Sequence, residues 1–254
     1  MTRRLLLALL LAFGLADPAV AGVGGRSSPA DTAEACAVPA EMVAPSQTMP
    51  RLTAAMATGK PLMVGLVGSS SSLGRGVSSP SHAYPVMLEK DLQELLGRKV
   101  TVLTRAESGL TAPLALARFD EMLSQHVALV VWETGTTDAV SGLALDRFGQ
   151  AIGDGVRMVQ AHGADVLLVD IQYSPQTAMV LNFDPYLDYL HREAEANDVM
   201  VFHRWDVMRA YVDSGRFNPA PDGAQEQFRN ADFVNGCIGR LLAGQIAAGL
   251  KRQN

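Results

Sequence analysis

The chain has 254 residues, 48% of them hydrophobic, and a formal net charge of −5. An acidic balance with no Lys/Arg stripe speaks against nucleic acid as a partner. The length without a leader suits one α/β domain around a single core.

In chain order, residues 1–21 read as a cleaved signal peptide. Arg3 and Arg4 form a positive start, residues 5–16 are an apolar run too short to cross a bilayer, and Ala19-Val20-Ala21 is a small-residue cleavage site. An uncleaved signal anchor is the other reading. Cleavage would start the mature chain at Gly22 and export it to the periplasm or the medium. No Cys follows the cleavage site to carry a lipid, and no later stretch is expected to insert stably into a membrane. Residues 22–47 are an irregular lead-in rich in Ala, Gly, Ser and Pro, and residues 48–254 are the domain. In an oxidising compartment the two cysteines, Cys36 and Cys237, either pair with each other or stay as buried thiols.

Short apolar runs at 62–67, 100–104, 128–132, 165–170 and 199–203 alternate with amphipathic patterns at 84–96, 112–124, 145–161, 186–196 and 231–250. Strands apolar on both faces and separated by helices predict a three-layer α/β/α domain with a mostly parallel sheet of about five strands, flavodoxin-like in outline. Ligands of such sheets sit at the carboxyl ends of the strands. That rule selects the loops at 68–80, 105–112, 133–140 and 171–175.

The first of these loops reads Gly68-Ser69-Ser70-Ser71-Ser72-Leu73-Gly74-Arg75-Gly76. It is not a phosphate loop, because its spacing is one residue too long and Lys-Ser/Thr is absent after the second glycine. It is not a dinucleotide fingerprint either, since no GxGxxG opens a helix. A flexible linker would not join a buried strand to an amphipathic helix.

Gly68-Ser69-Ser70, then Gly74-x-Gly76, Ser78-Ser79-Pro80 and Tyr84-Pro85, resemble the first block of the SGNH, or GDSL, hydrolase family, in exported bacterial members with Ser in place of the family's Asp. The stretches "LTRAESGLTA", "VVWETGTTDAV", "FHRWDVMR" and "NGCIGRLL" continue the likeness through most of the chain. The resemblance implies a serine acyl-enzyme mechanism. Ser70 would be the nucleophile, and the amides of Ser70 and Gly109 would form an oxyanion hole with a side chain from the third block, where Thr137 stands in place of the family's Asn. It also implies a small ester or acylated saccharide as ligand and no cofactor or metal. The sequence names no protein partner.

The family draws its general base from a C-terminal Asp-x-x-His, and this chain has none. One alignment pairs Asp222 with Gln225, another Glu226 with Arg229; neither Gln nor Arg takes up a proton at neutral pH. Among the histidines, His203 ends the fifth expected strand on the same edge as Ser70. Glu107, Glu133 and Asp138 flank the second and third loops as a base, as ligands for hydroxyls or a cation, or as helix caps and partners of Arg75 and Arg105. Two functions stay open: a serine esterase or acyltransferase, and a pseudo-hydrolase that binds a glycan or a partner without chemistry.

Overall fold

The computed structural model describes residues 33–251. The expected signal peptide, the start of the lead-in and the last three residues lie outside the described residues. Five strands form one parallel sheet: β1 (Leu62–Gly68), β2 (Val100–Ala106), β3 (Leu129–Glu133), β4 (Asp165–Val169) and β5 (Met200–Phe202), in the order β2-β1-β3-β4-β5. The strand order reverses beside β1, and the crevice at such a switch point is where open α/β sheets bind ligands.

Period-two alternation sorts the strand side chains into two cores. Val64 and Leu66, Leu129 and Val131, Leu167 and Val169, and Met200 and Phe202 share one cluster with α1 (Pro50–Ala57) and α2 (Tyr84–Leu96). Two later helices complete that layer, α8 (Arg204–Asp213) and α9 (Ala224–Lys251). Val67, Val130 with Trp132, Val166 with Leu168, and Val201 pack on the other face against α3 (Ala112–Leu123), α5 (Leu145–Ala161) and α7 (Asp184–Ala196). The three-layer domain is therefore as the residue pattern predicts.

The differences lie in the polar or short elements. α1, α4 (Thr136–Val140), α6 (Pro175–Ala178) and α8 were not expected as helices. α4 and α6 are about one turn long, too short for a 3.6-residue period to register. α8 begins directly after β5, with charged residues breaking its apolar stripe. α9 starts at Ala224 rather than 231, because its first two turns face a cavity and need no apolar residues. α9 is also, by length and composition alone, apolar enough to cross a membrane. In the fold its Ile238, Leu242, Ala243 and Ile246 are fully buried in the core they share with α2.

Cys36 and Cys237 form a disulfide across a sequence separation of 201 residues, and both are buried. The Tyr211 hydroxyl donates to the Cys36 carbonyl at 2.8 Å and fixes the same junction. Closing so long a loop restricts the unfolded chain, so Cys36→Ser with Cys237→Ser is expected to cost up to about 5 kcal/mol in urea unfolding. A loss under about 1 kcal/mol would mean that the lead-in is held by its packing alone.

Candidate active site

The first loop is a series of turns that keeps four consecutive hydroxyls at the end of β1: Ser69 and Ser72 reach Glu133, Ser70 reaches Ser108 and Ser71 accepts from Arg204. Continuing the alternation of β3 places Glu133 on the α2/α9 side of the sheet, beneath these serines. Its Oε1 accepts from Ser69 Oγ at 2.8 Å, and its Oε2 accepts from Ser72 Oγ in a very short contact and from the Tyr84 hydroxyl at 3.3 Å. Ser72 and Tyr84 are themselves 2.6 Å apart. Gly68 makes this approach possible: a Cβ there would lie 2.8 Å from Glu133 Oε2 and 2.0 Å from Ser72 Oγ.

The countercharge is Arg204, at the start of α8. Its Nη2 lies 3.5 Å from Glu133 Oε1, with both side chains almost fully buried. Its Nη1 donates to Ser71 Oγ at 3.0 Å, its Nε to the Asp170 carbonyl at 3.0 Å, and Nη2 also approaches Thr136 Oγ1 at 3.4 Å. Burial alone would raise the Glu133 carboxyl, but Arg204 and the serine hydroxyls hold it below its ordinary range. Burial, then Glu133, push the Tyr84 phenol well up. Glu133 is thus a fixed anion that shapes the loop, with its oxygens taken by donors, and not a base free to receive a proton.

Ser70 points elsewhere. Its hydroxyl donates to Ser108 Oγ at 3.1 Å, and Ser108 in turn accepts from Arg75 Nη2 at 2.7 Å and Nε at 3.1 Å. Among the described residues no imidazole or carboxylate is hydrogen-bonded to Ser70. The amides of Ser70 and Gly109 are not taken by any chain carbonyl among the described residues. Gly109 has φ of +82°, a left-handed conformation that suits glycine. Ser70 opens into a cavity of about 420 Å³, within the size range of small-ligand sites. Met208, Phe217, Pro219 and Val234 give it an apolar wall, and Gln172, Gln227 and Asn230 line it with amides beside Arg75 and Arg204.

α9 contributes Gln227, Asn230, Ala231, Val234, Asn235 and Ile238 to the lining, a single helical stripe. Gln225 and Arg229 are each two residues, roughly 200°, away from Gln227 around the helix, and both are exposed. Glu226 accepts from Asn218 Nδ2 at 2.9 Å and from the exposed Asp222 amide at 2.7 Å; these two bonds hold its carboxyl low. None of the positions that replace Asp-x-x-His lines the cavity.

The other carboxylates are structural. Asp138 is fully buried and accepts from the Ala112 amide at 2.7 Å and the Gly135 amide at 3.1 Å, joining α3 to α4. Glu107 is exposed and pairs with Arg118 at 2.5 Å, not with Arg75 or Arg105. Thr137 is half-buried and outside the cavity lining; its neighbour Thr136 instead accepts from the Gln172 amide at 2.9 Å. His203 reaches the expected edge but the opposite face. Its Nδ1 faces Asp170 Oδ2 at 3.7 Å, and its ring packs on His191 with centroids 5.0 Å apart.

A Ser-His-Asp grouping does occur at Ser78, His82 and Asp232. There His82 Nδ1 lies 3.0 Å from both Ser78 Oγ and Asp232 Oδ2, while Ser78 Oγ also donates to Asp232 at 2.5 Å. A relay needs the acid and the hydroxyl on different ring nitrogens, so this cluster fastens the loop to α9. The site residues that sequence reasoning passed over are Arg204, Ser108 and Gln172. The signal for Arg204 was its place one residue beyond the last expected strand, 199–203, at the carboxyl edge.

A family model described as the non-GDSL lipase-like family matches residues 35–252. Esterase TesA of Pseudomonas aeruginosa is 33% identical over 111 residues, 43% of this chain and 54% of that protein, so the chain matches about half the length of this curated relative. A crystal structure of TesA superposes with a TM-score of 0.55 at 24% identity, covering 70% of this chain and 99% of that one. A two-domain esterase (CEX) active on acetylated mannans superposes with a TM-score of 0.61 at 17% identity, covering 79% and 56%. At these identities the structural likenesses carry the fold, which is that of SGNH/GDSL hydrolases. The chain, matched by the family model over nearly all its described residues, belongs to the non-GDSL lipase-like family.

Proposed function

We propose that this protein is exported, binds an O-acylated saccharide in the Ser70 cavity, and on its own does not turn it over. The observation that carries the reading is the hydrogen-bond shell of Ser70: its partner is Ser108, and Ser108 is held by Arg75, whose guanidinium only donates. A serine hydroxyl is a weak nucleophile until an adjacent base takes its proton. The cavity suits the ligand class. Among the described residues the side-chain amides of Gln172 and Gln227 make no hydrogen bond within the chain and stand ready for sugar hydroxyls, while the Phe217 and Val234 wall suits an acyl group. The acetylated mannans on which the two-domain esterase of similar fold acts are ligands of this kind.

A second reading, a Ser70 esterase, is favoured by the Ser70 and Gly109 amides, which no chain carbonyl takes among the described residues and which are the kind of donor an oxyanion hole needs. Turnover of p-nitrophenyl acetate by the purified chain beside Ser70→Ala separates the two. Equal rates, together with saturable binding of an acetylated mannooligosaccharide, are expected. Ester cleavage that disappears with Ser70→Ala would establish the esterase instead.

A further inference from the structure

On the sheet face opposite the Ser70 cavity, three donors converge at the carboxyl ends of β4 and β5. Asp170 follows β4, His203 follows β5, and His191 comes from α7. Asp170 Oδ2 lies 3.1 Å from His191 Nε2 and 3.7 Å from His203 Nδ1, and the three candidate ligand atoms are all within 4.8 Å of one another. We propose that Asp170, His191 and His203 form a binding site for a divalent transition-metal ion of the zinc class.

Ligands of a tetrahedral zinc ion, with bonds of about 2.0–2.1 Å, stand roughly 3.3 Å apart. Two of the separations already bracket that value, and small rotations of the two imidazoles bring in the third. The donor set is two nitrogens and one carboxylate oxygen, which suits zinc, nickel or copper better than calcium or magnesium. Asp170 is 1% exposed whereas the two rings are about one-third exposed, so the carboxylate anchors the site from below and a fourth position opens to solvent.

The surroundings hold the carboxylate in place. Asp170 Oδ1 accepts from the Trp205 amide at 2.9 Å and its carbonyl accepts from Arg204 Nε at 3.0 Å, leaving Oδ2 directed at the histidines. Such supporting bonds orient a metal ligand. Three separate elements, β4, α7 and the β5–α8 junction, would be joined by the ion, so occupancy adds to fold stability in proportion to free metal. The site does not depend on the function of the Ser70 cavity.

The test uses the tag-free chain, stripped with EDTA and titrated with zinc chloride by calorimetry, with cobalt(II) absorption as a second readout. One equivalent is expected to bind with a dissociation constant below about 10 µM, with visible cobalt bands and a rise in melting temperature. His191→Ala and His203→Ala are each expected to weaken binding at least about 10-fold; both side chains are partly exposed, and His191→Gln is the control for packing. Absence of saturable binding, or binding as strong as the parent's in both alanine variants, would overturn the proposal and leave a hydrogen-bonded His-Asp cluster.

Discussion

Arg204→Ala is expected to destabilise the protein by about 3–5 kcal/mol, because it leaves the buried Glu133 carboxylate without its countercharge. The penalty comes mainly from the stranded anion. Glu133→Gln in the same chain should therefore recover part of it, since the amide oxygen still accepts from Ser69. The double variant is expected to be more stable than the sum of the single losses, a coupling that a double-mutant cycle measures. A loss under about 1 kcal/mol for Arg204→Ala would mean that Glu133 is not held by this pair. The pair also fixes a pH dependence. Glu133 titrates lower in the fold than in the unfolded chain, so the unfolded state binds the proton more readily as pH falls. The stabilisation is fully present above the ordinary glutamate value of about 4.3 and is lost as pH drops through the lower folded value. In Glu133→Gln this component of the acid-unfolding curve should be missing.

The second large effect is a gain. On the proposed reading, in which Ser70 lacks a base, an imidazole placed on the cavity stripe of α9 should confer chemistry. Gln227→His and Asn230→His put the ring among residues that line the same cavity as Ser70, and general-base catalysis contributes about 10² to 10⁴ in rate. At least one of these variants is expected to hydrolyse p-nitrophenyl acetate about 10² faster than the parent, with the gain removed by Ser70→Ala in the same background. Two folded histidine variants with unchanged rates would locate the deficiency in the oxyanion side of the site, where Thr137 lies outside the cavity lining. Placing the histidine at Gln225 or Arg229, where sequence alignment would put it, is not expected to produce activity, because both turn away from that stripe.

The five strands, the parallel sheet and Ser70 at the carboxyl edge were legible from the residues, since burial on both faces writes near-continuous apolar runs and strand ends follow from where those runs stop. The lack of an Asp-x-x-His in the C-terminal segment is plain from the sequence as well, the one at Asp188 to His191 lying on α7. Local pattern did not decide the face of the sheet on which each edge residue lands. Glu133 ends β3 and His203 follows β5, both on the correct edge, yet pleat parity sends Glu133 beneath the serine loop and His203 to the layer of α7. Only the packing of helices on the two faces tells which parity meets Ser70. The charge partner of Glu133 is likewise far away in sequence, at Arg204, and only the adjacency of strands brings it near. Sequence thus determined the scaffold and the hydroxyl, while tertiary packing decided what surrounds that hydroxyl, because alternation along one strand is local but the neighbour across a layer is not.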